Sequence, residues 1–141
     1  LIISQFVRSL DTLGDDVAAE AMNETRDFLR DELRRNAQKG GPTGLNKRTG
    51  ALLNSIRTYL KATSGGVELS VGMKFYGWVH DRGAVIEAKN APYLRFQLPN
   101  GAWVQTKSVT LPARNWATDA VQESRKRFPA FIRQAVHRRM R

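Results

Sequence analysis

His80 and Asp81 stand side by side in the stretch YGWVHDRG, residues 76 to 83, among two glycines and two large aromatics. An imidazole next to a carboxylate is raw material for acid–base catalysis or for a metal site. The spacing argues against both. Neighbouring side chains point to opposite faces of a strand and lie about 100° apart on a helix, so the two do not form a dyad. The other histidine, His137, is remote in sequence, and a triad needs three groups within hydrogen-bond reach. The chain has no Cys, which excludes disulfides, thiolate zinc sites and cysteine nucleophiles. Residues 57 to 111 hold only Glu68, Asp81 and Glu87 as carboxylates, too few for a histidine–carboxylate metal site. The same residues read better as scaffold: a turn of helix or a bent strand in which Tyr76 and Trp78 bury against a sheet, Gly77 and Gly83 allow close approach or positive φ, and His80 is a hydrogen-bonded framework residue. The expectation is no catalytic residue, no metal and no cofactor.

The elements that must hold this corner follow from periodicity. Phe6, Leu10, Leu13, Val17, Ala21 and Phe28 recur at three- and four-residue steps and predict a helix from about Phe6 to Gln38, with Glu24 as an intruder on the apolar face. Gly14 breaks its first turns and Asp15 caps the restart. At about 40 Å such a helix is longer than one small domain needs, so part of it is expected to pack on a neighbouring subunit. KGGPTGLNKR, 39 to 48, reads as an exposed loop, and it lacks the spacing of a phosphate-binding loop. Thr49 is placed to cap a short helix, 49 to 56, that buries Leu52, Leu53 and Ile56. From Arg57 the period becomes two, with a hairpin around Ser64-Gly65-Gly66 and further strands at 84–88, 93–98 and 102–111, the last two joined by Pro99-Asn100-Gly101. After Pro112 a helical pattern returns with Trp116, Ala117, Ala120 and Val121 on one side, and Pro129 is expected to kink or restart it. Beyond Pro129, Phe131, Ile132, Ala135, Val136 and Met140 share a face, and Arg139 within that arc points to a frayed end or a contact with another chain. The predicted class is α+β in one domain over 1–141: an antiparallel sheet of about four to six strands, open or barrel-like, between a long N-terminal and a C-terminal helix.

Composition fits that class. The chain has 141 residues, 41% of them hydrophobic and 26% charged, and a chain of this length buries about two thirds of its unfolded surface without staples. No apolar run reaches the roughly 18 residues of a spanning helix. The start, LIISQFVRSL, turns polar within its first residues, unlike a signal peptide, and the lack of Cys suits a reducing cytoplasm. The net charge of +10 is unevenly spread. Residues 1–38 carry 5 basic and 8 acidic groups, net −3; residues 39–113 carry 10 and 3, net +7; residues 114–141 carry 8 and 2, net +6. Polyanions or acidic surfaces suit such a field. The basic C-terminal stretch, Arg125, Lys126, Arg127, Arg133, Arg138, Arg139 and Arg141, would meet a phosphate backbone without sequence readout, since no helix-turn-helix, zinc-finger or RNA-recognition signature is present.

Four stretches in order then carry a resemblance: TGALLNSI (49–56), YGWVHDRG (76–83), IEAKNAPYLRF (86–96) and VTLPARNW (109–116). Together they resemble the tail-completion and neck proteins of long-tailed bacteriophages, of the lambdoid minor tail protein Z and virion morphogenesis type. Members commonly show Thr/Ser-Gly-x-Leu-x-x-Ser-Ile, a Tyr-x-x-x-His-Glu-Phe-Gly-like turn, Ile-x-Pro/Ala-Lys-x-x-x-x-Leu, and Ile/Leu-Pro-Ala/Pro-Arg-Pro-Phe ahead of a C-terminal helix. Asp81-Arg82 stands here where Glu-Phe is usual, and Asn115-Trp116 replaces Pro-Phe. The resemblance implies a virion structural protein without enzymatic activity, assembled in the host cytoplasm into a homo-oligomeric, hexameric ring at the head-proximal end of the tail or in the neck. It implies neighbouring neck and tail proteins as partners, nonspecific passage of genome DNA, and neither a membrane nor a small-molecule substrate. Tyr76, Trp78, His80, Gly83, Arg114 and Trp116 become interface or packing residues; Lys39, Lys47 and Arg48 become loop contacts to a partner; Arg125, Lys126, Arg127, Arg133, Arg138 and Arg141 become contacts to DNA or an acidic surface. On this reading the sheet is the ring body and the terminal helices pack between subunits. A tail terminator capping the tube fits the same residues, and a nonspecific nucleic-acid-binding module is the alternative of another class.

Overall fold

A computed structural model describes residues 2–3, 15–41, 44–45, 50–64 and 66–141. The elements run β1 (Ile2–Ile3), α1 (Asp15–Asn36), α2 (Ala51–Ser55), β2 (Arg57–Thr63), β3 (Gly66–Gly72), α3 (Phe75–Arg82), β4 (Ala84–Glu87), β5 (Leu94–Gln97), β6 (Trp103–Thr106), β7 (Ser108–Leu111) and α4 (Trp116–Arg139). The class is the expected α+β. The expected helix over 6–14 and the Thr49 cap lie outside the described residues; Gly50, at φ 75°, occupies the cap position of α2.

The core is a helix pair. On α1, Val17, Ala18, Ala21, Met22, Thr25, Leu29 and Leu33 are buried, a stripe at three- and four-residue steps. On α4 the buried set is Trp116, Ala117, Ala120, Val121, Ser124, Phe128 and Ala135. Half of these buried positions are alanine, serine or threonine, small enough to let two helices pack closely. The two buried hydroxyls satisfy themselves locally, Thr25 donating to the Ala21 carbonyl at 2.7 Å and Ser124 to the Ala120 carbonyl at 2.8 Å. The helices run antiparallel: Asn36, at the end of α1, donates to the Trp116 carbonyl at 2.9 Å, while Arg138, at the end of α4, pairs with Glu20 and Glu24. The length of α1 over Asp15–Asn36 is thus matched by α4 of the same chain. Pro129 does not restart α4. Phe128 is buried beside it and Phe131 meets Phe28 with ring centroids 5.8 Å apart, so packing on α1 holds the helix through the missing amide hydrogen.

The strands form three separate units where one sheet was expected. The first, in order β1-β3-β2, is antiparallel, with Leu60 opposite Leu69 and Thr58 opposite Val71. Its inner face, including buried Leu69 and Val71, joins the helix-pair core. The other two are β4 with β7 and β5 with β6. They are nested: Glu87 faces Ser108, Ala88 donates to the Lys107 carbonyl at 2.9 Å, and Leu94 faces Thr106. The result is one two-stranded arm, 84 to 111, turning through Pro99-Asn100-Gly101, where Gly101 has φ 87°. There is no closed barrel. The single strand expected over 102–111 is two, broken at Lys107, because the residues 88–93 opposite it do not pair strand to strand. No described helix is long and apolar enough to cross a membrane.

Candidate functional site

The stretch that invited a chemical reading is mostly α3, which ends against the start of α4. Helix α4 begins after Asn115, held in the left-handed region at φ 53°, and Asn115 makes no side-chain cap bond. The first amide hydrogens of the helix therefore need an acceptor from elsewhere. Asp81 supplies it. Its Oδ1 accepts from the Ala117 and Thr118 amides at 2.8 and 3.0 Å, and its Oδ2 accepts from the Thr118 hydroxyl at 2.7 Å. The carboxylate is 1% exposed, and a negative charge at a helix N-terminus is further stabilised by the aligned peptide dipoles. Asp81 is thus a capping residue reaching in from 36 positions upstream.

The rest of the corner is built the same way. The Arg114 amide donates to the His80 carbonyl and the Asn115 amide to the Asp81 carbonyl, both at 3.0 Å. Trp116, fully buried, donates its indole N–H to the Gly77 carbonyl at 3.1 Å. Gly77 lets two side chains come close: a Cβ there would lie 2.5 Å from Met73 Sδ and 2.8 Å from Leu52 Cδ1, and both would have to shift. Gly83, at φ 75°, lies so close to the Leu111 carbonyl and the Ala113 amide that a Cβ would be 2.8 Å from each. The backbone link from α2 is Lys74, whose amide donates to Ser55 Oγ at 3.1 Å.

His80 is partly buried. Burial, and behind it the Arg114 guanidinium, hold its imidazole below the ordinary value for histidine. Arg114 itself reaches outward, donating to the carbonyls of Gly44 at 2.8 Å and Gly41 at 3.3 Å. It ties down a loop expected to be wholly exposed. Within that loop Leu45 is buried in the core and exchanges backbone hydrogen bonds with Asn36 and Gly40, so 44–45 are packed residues, not free ones. Lys39 is exposed; Lys47 and Arg48 lie outside the described residues. Trp78 is half-buried under the Arg82 guanidinium, 6.0 Å from its ring centre. Tyr76 departs from expectation: it is exposed, as is Phe75 before it, which is 80% exposed. A short helix has one inner face, and Gly77, Trp78 and Asp81 take it.

Of the basic C-terminal residues Arg133 and Arg141 are exposed, while others are engaged by acids or a ring. Arg138 is held by Glu24 first and Glu20 second, which raise its pKa, and Arg139 pairs with Asp16 and Glu20. Arg139 is therefore a rivet between α4 and α1, and Glu24, the intruder on the α1 face, is there to meet Arg138. Lys126 and Arg127 lie near Glu123, and Arg127 also covers the Phe28 ring at 5.7 Å. Arg125 is engaged as well. An open groove between α1 and α4, lined by residues including Glu32, Arg35, Lys39, Asp119, Glu123 and Arg127, carries as many acids as bases.

What the sequence reading did not isolate is the arm. Val85, Ile86, Tyr93, Leu98 and Trp103 on it are exposed, Trp103 at 61%, and none of 84–111 belongs to the core cluster. Its own stabilisation is local, with Arg95 over the Trp103 ring at 4.8 Å and Phe96 opposite Val104. No family model, curated protein or solved structure matches this chain.

Proposed function

We propose that the protein is a non-enzymatic structural component of a tailed-phage virion, a tail-completion or neck protein that forms a ring at the head-tail junction and leaves a passage for DNA. One observation supports this reading most. The four stretches that carry the family resemblance meet in space: Leu52 of the first packs on Gly77 of the second, Asp81 of the second caps the helix opened by the fourth, and the third and fourth supply opposite strands of the arm. They make one unit, a rigid corner with an arm projecting from it. Elements that only stabilised a monomer would not leave such an arm off the core.

Ring formation falls to the arm, because α1 and α4 spend their apolar faces on each other. Electron microscopy of the purified protein tests the reading, with closed rings expected. Particles lacking the protein should accumulate unjoined heads and tails; normal joining without it would overturn the proposal. The salt bridges that hold Arg138 and Arg139 to α1 support the ring over a monomeric nucleic-acid-binding module. Gel shifts of the monomer should accordingly show weak DNA binding at physiological salt, where a dedicated binding module would be tight and steeply salt-dependent.

A further inference from the structure

Opposite charges are concentrated at one end of the helix pair. Residues 15 to 24, at the start of α1, hold four acids and no base, and residues 133 to 141, at the end of α4, hold four arginines and no acid. The helices run antiparallel, so the two stretches meet. Arg138 pairs with Glu20 and Glu24, and Arg139 with Asp16 at 3.3 Å and Glu20 at 3.5 Å. Arg133 and Arg141 of the same stretch are exposed. We propose that this end of α4 is a binding site for the phosphate backbone of duplex DNA, and that Asp16, Glu20 and Glu24 are its built-in competitor, an autoinhibitory contact that DNA must displace.

The acids have the form of the ligand they exclude. Asp16, Glu20 and Glu24 follow one another at four-residue steps, which on a helix rise about 6 Å each and share one face. They make a line of fixed negative charge, as a nucleic-acid strand does. Arginine meets carboxylate and phosphate with the same planar fork of donors, so one anion can take the place of the other.

The contact is also easy to exchange. The side chains of Arg138 and Arg139 are 55% and 45% exposed, and ion pairs open to solvent add little to stability. The buried side chains of α4 end at Ala135, short of both arginines, so releasing the arginines leaves the helix pair docked. While paired, the four arginines face three carboxylates, a net charge of +1; released, they present +4. DNA binding at this end does not depend on ring closure.

Mixed-sequence duplex DNA, titrated by fluorescence anisotropy over a salt series, tests the proposal on full-length variants checked for folding by circular dichroism. Asp16→Asn/Glu20→Gln/Glu24→Gln should bind about tenfold or more tighter than the unmodified chain at equal salt, and its logarithmic salt slope should steepen by about 2, one for each freed arginine. Glu20→Gln alone, at the acid that touches both arginines, should give part of the gain. Adding Arg138→Ala/Arg139→Ala to the triple variant should abolish the gain, while the same two alanines in the unmodified chain should change little. The control Asp31→Asn/Glu68→Gln/Glu87→Gln makes the same change in net charge elsewhere and should also change little. No gain on neutralising the three acids would overturn the proposal. So would an equal gain in the control, which would make net charge the cause, or a gain from the two alanines alone, which would make a loosened helix end the cause. A triple variant that binds poly-L-glutamate as tightly as DNA would assign the site to acidic chains and overturn DNA as its occupant.

Discussion

The corner where α3 meets α4 and the arm that leaves it are adjacent in sequence and opposite in construction. In the corner polar groups are paired with partners far along the chain: Asp81 with Ala117 and Thr118, Trp116 with Gly77, Arg114 with Gly41 and Gly44. In the arm the ladder partners are in the arm itself, and its large side chains face solvent. Buried, partnered groups are costly to disturb, whereas exposed ones cost little to the fold and matter when another molecule arrives. The lesson is a division of labour: the corner holds the fold, and the arm, which adds nothing to the core, is the part that the proposed function assigns to association.

Substitutions can break or sharpen that contrast. The largest effect belongs to Trp116→Ala, which empties a fully buried indole site and strands the Gly77 carbonyl; chemical denaturation should show a loss of about 4 kcal/mol. Asp81→Ala comes next, at about 3 kcal/mol, because two helix-start amides lose a charged acceptor. Asp81→Asn keeps one acceptor oxygen and should recover part of that loss; equal losses for the two variants would show that side-chain volume, not capping, is what Asp81 provides. On the arm, Trp103→Ser should move stability by no more than about 0.5 kcal/mol, measured on the same denaturation axis. A loss comparable to that of Trp116→Ala would mean that the arm is part of the core, and the contrast would fail.

The smallest effect is a pH slope. In the unfolded chain His80 takes a proton near its ordinary 6.5, and in the folded chain only at lower pH. Between those two values the unfolded state binds more protons, so stability falls as pH is lowered through that window and levels off once both states are protonated. His80→Gln should flatten the slope there while leaving association unchanged, read from denaturation midpoints at several pH values.

Much of this was legible in the residues. The hairpin around Ser64-Gly65-Gly66, the Pro99-Asn100-Gly101 turn and the apolar side of α4 after Pro112 follow from period and turn chemistry, which are local. The C-terminal end of α1 was legible too, although Leu29 and Leu33 lie at the heart of its buried stripe and Phe28, counted on its apolar face, only borders it. What escaped was non-local. Alternation in β5 and β6 looks like alternation in β3, and nothing in a strand's own pattern says whether a core lies beneath it. Arg139 looked misplaced because a helical wheel shows one helix, and its acids are on another. Pro129 was read by its own backbone cost, which the packing of Phe128 and Phe131 outweighs. Asp81 left no trace, because Asn115 is itself a preferred N-cap type and only its left-handed backbone, at φ 53°, leaves the first amides of α4 to a carboxylate 36 positions upstream.

The root of the arm carries a mechanical consequence. Gly83 is wedged against Leu111 and Ala113, and the backbone amides of Arg114 and Asn115 are fastened to His80 and Asp81. There is no slack between the projecting ribbon and the first turn of α4. A twist of the ribbon at its root must turn the first turn of α4 with it, so ribbon and helix, handle and jaw, move together there.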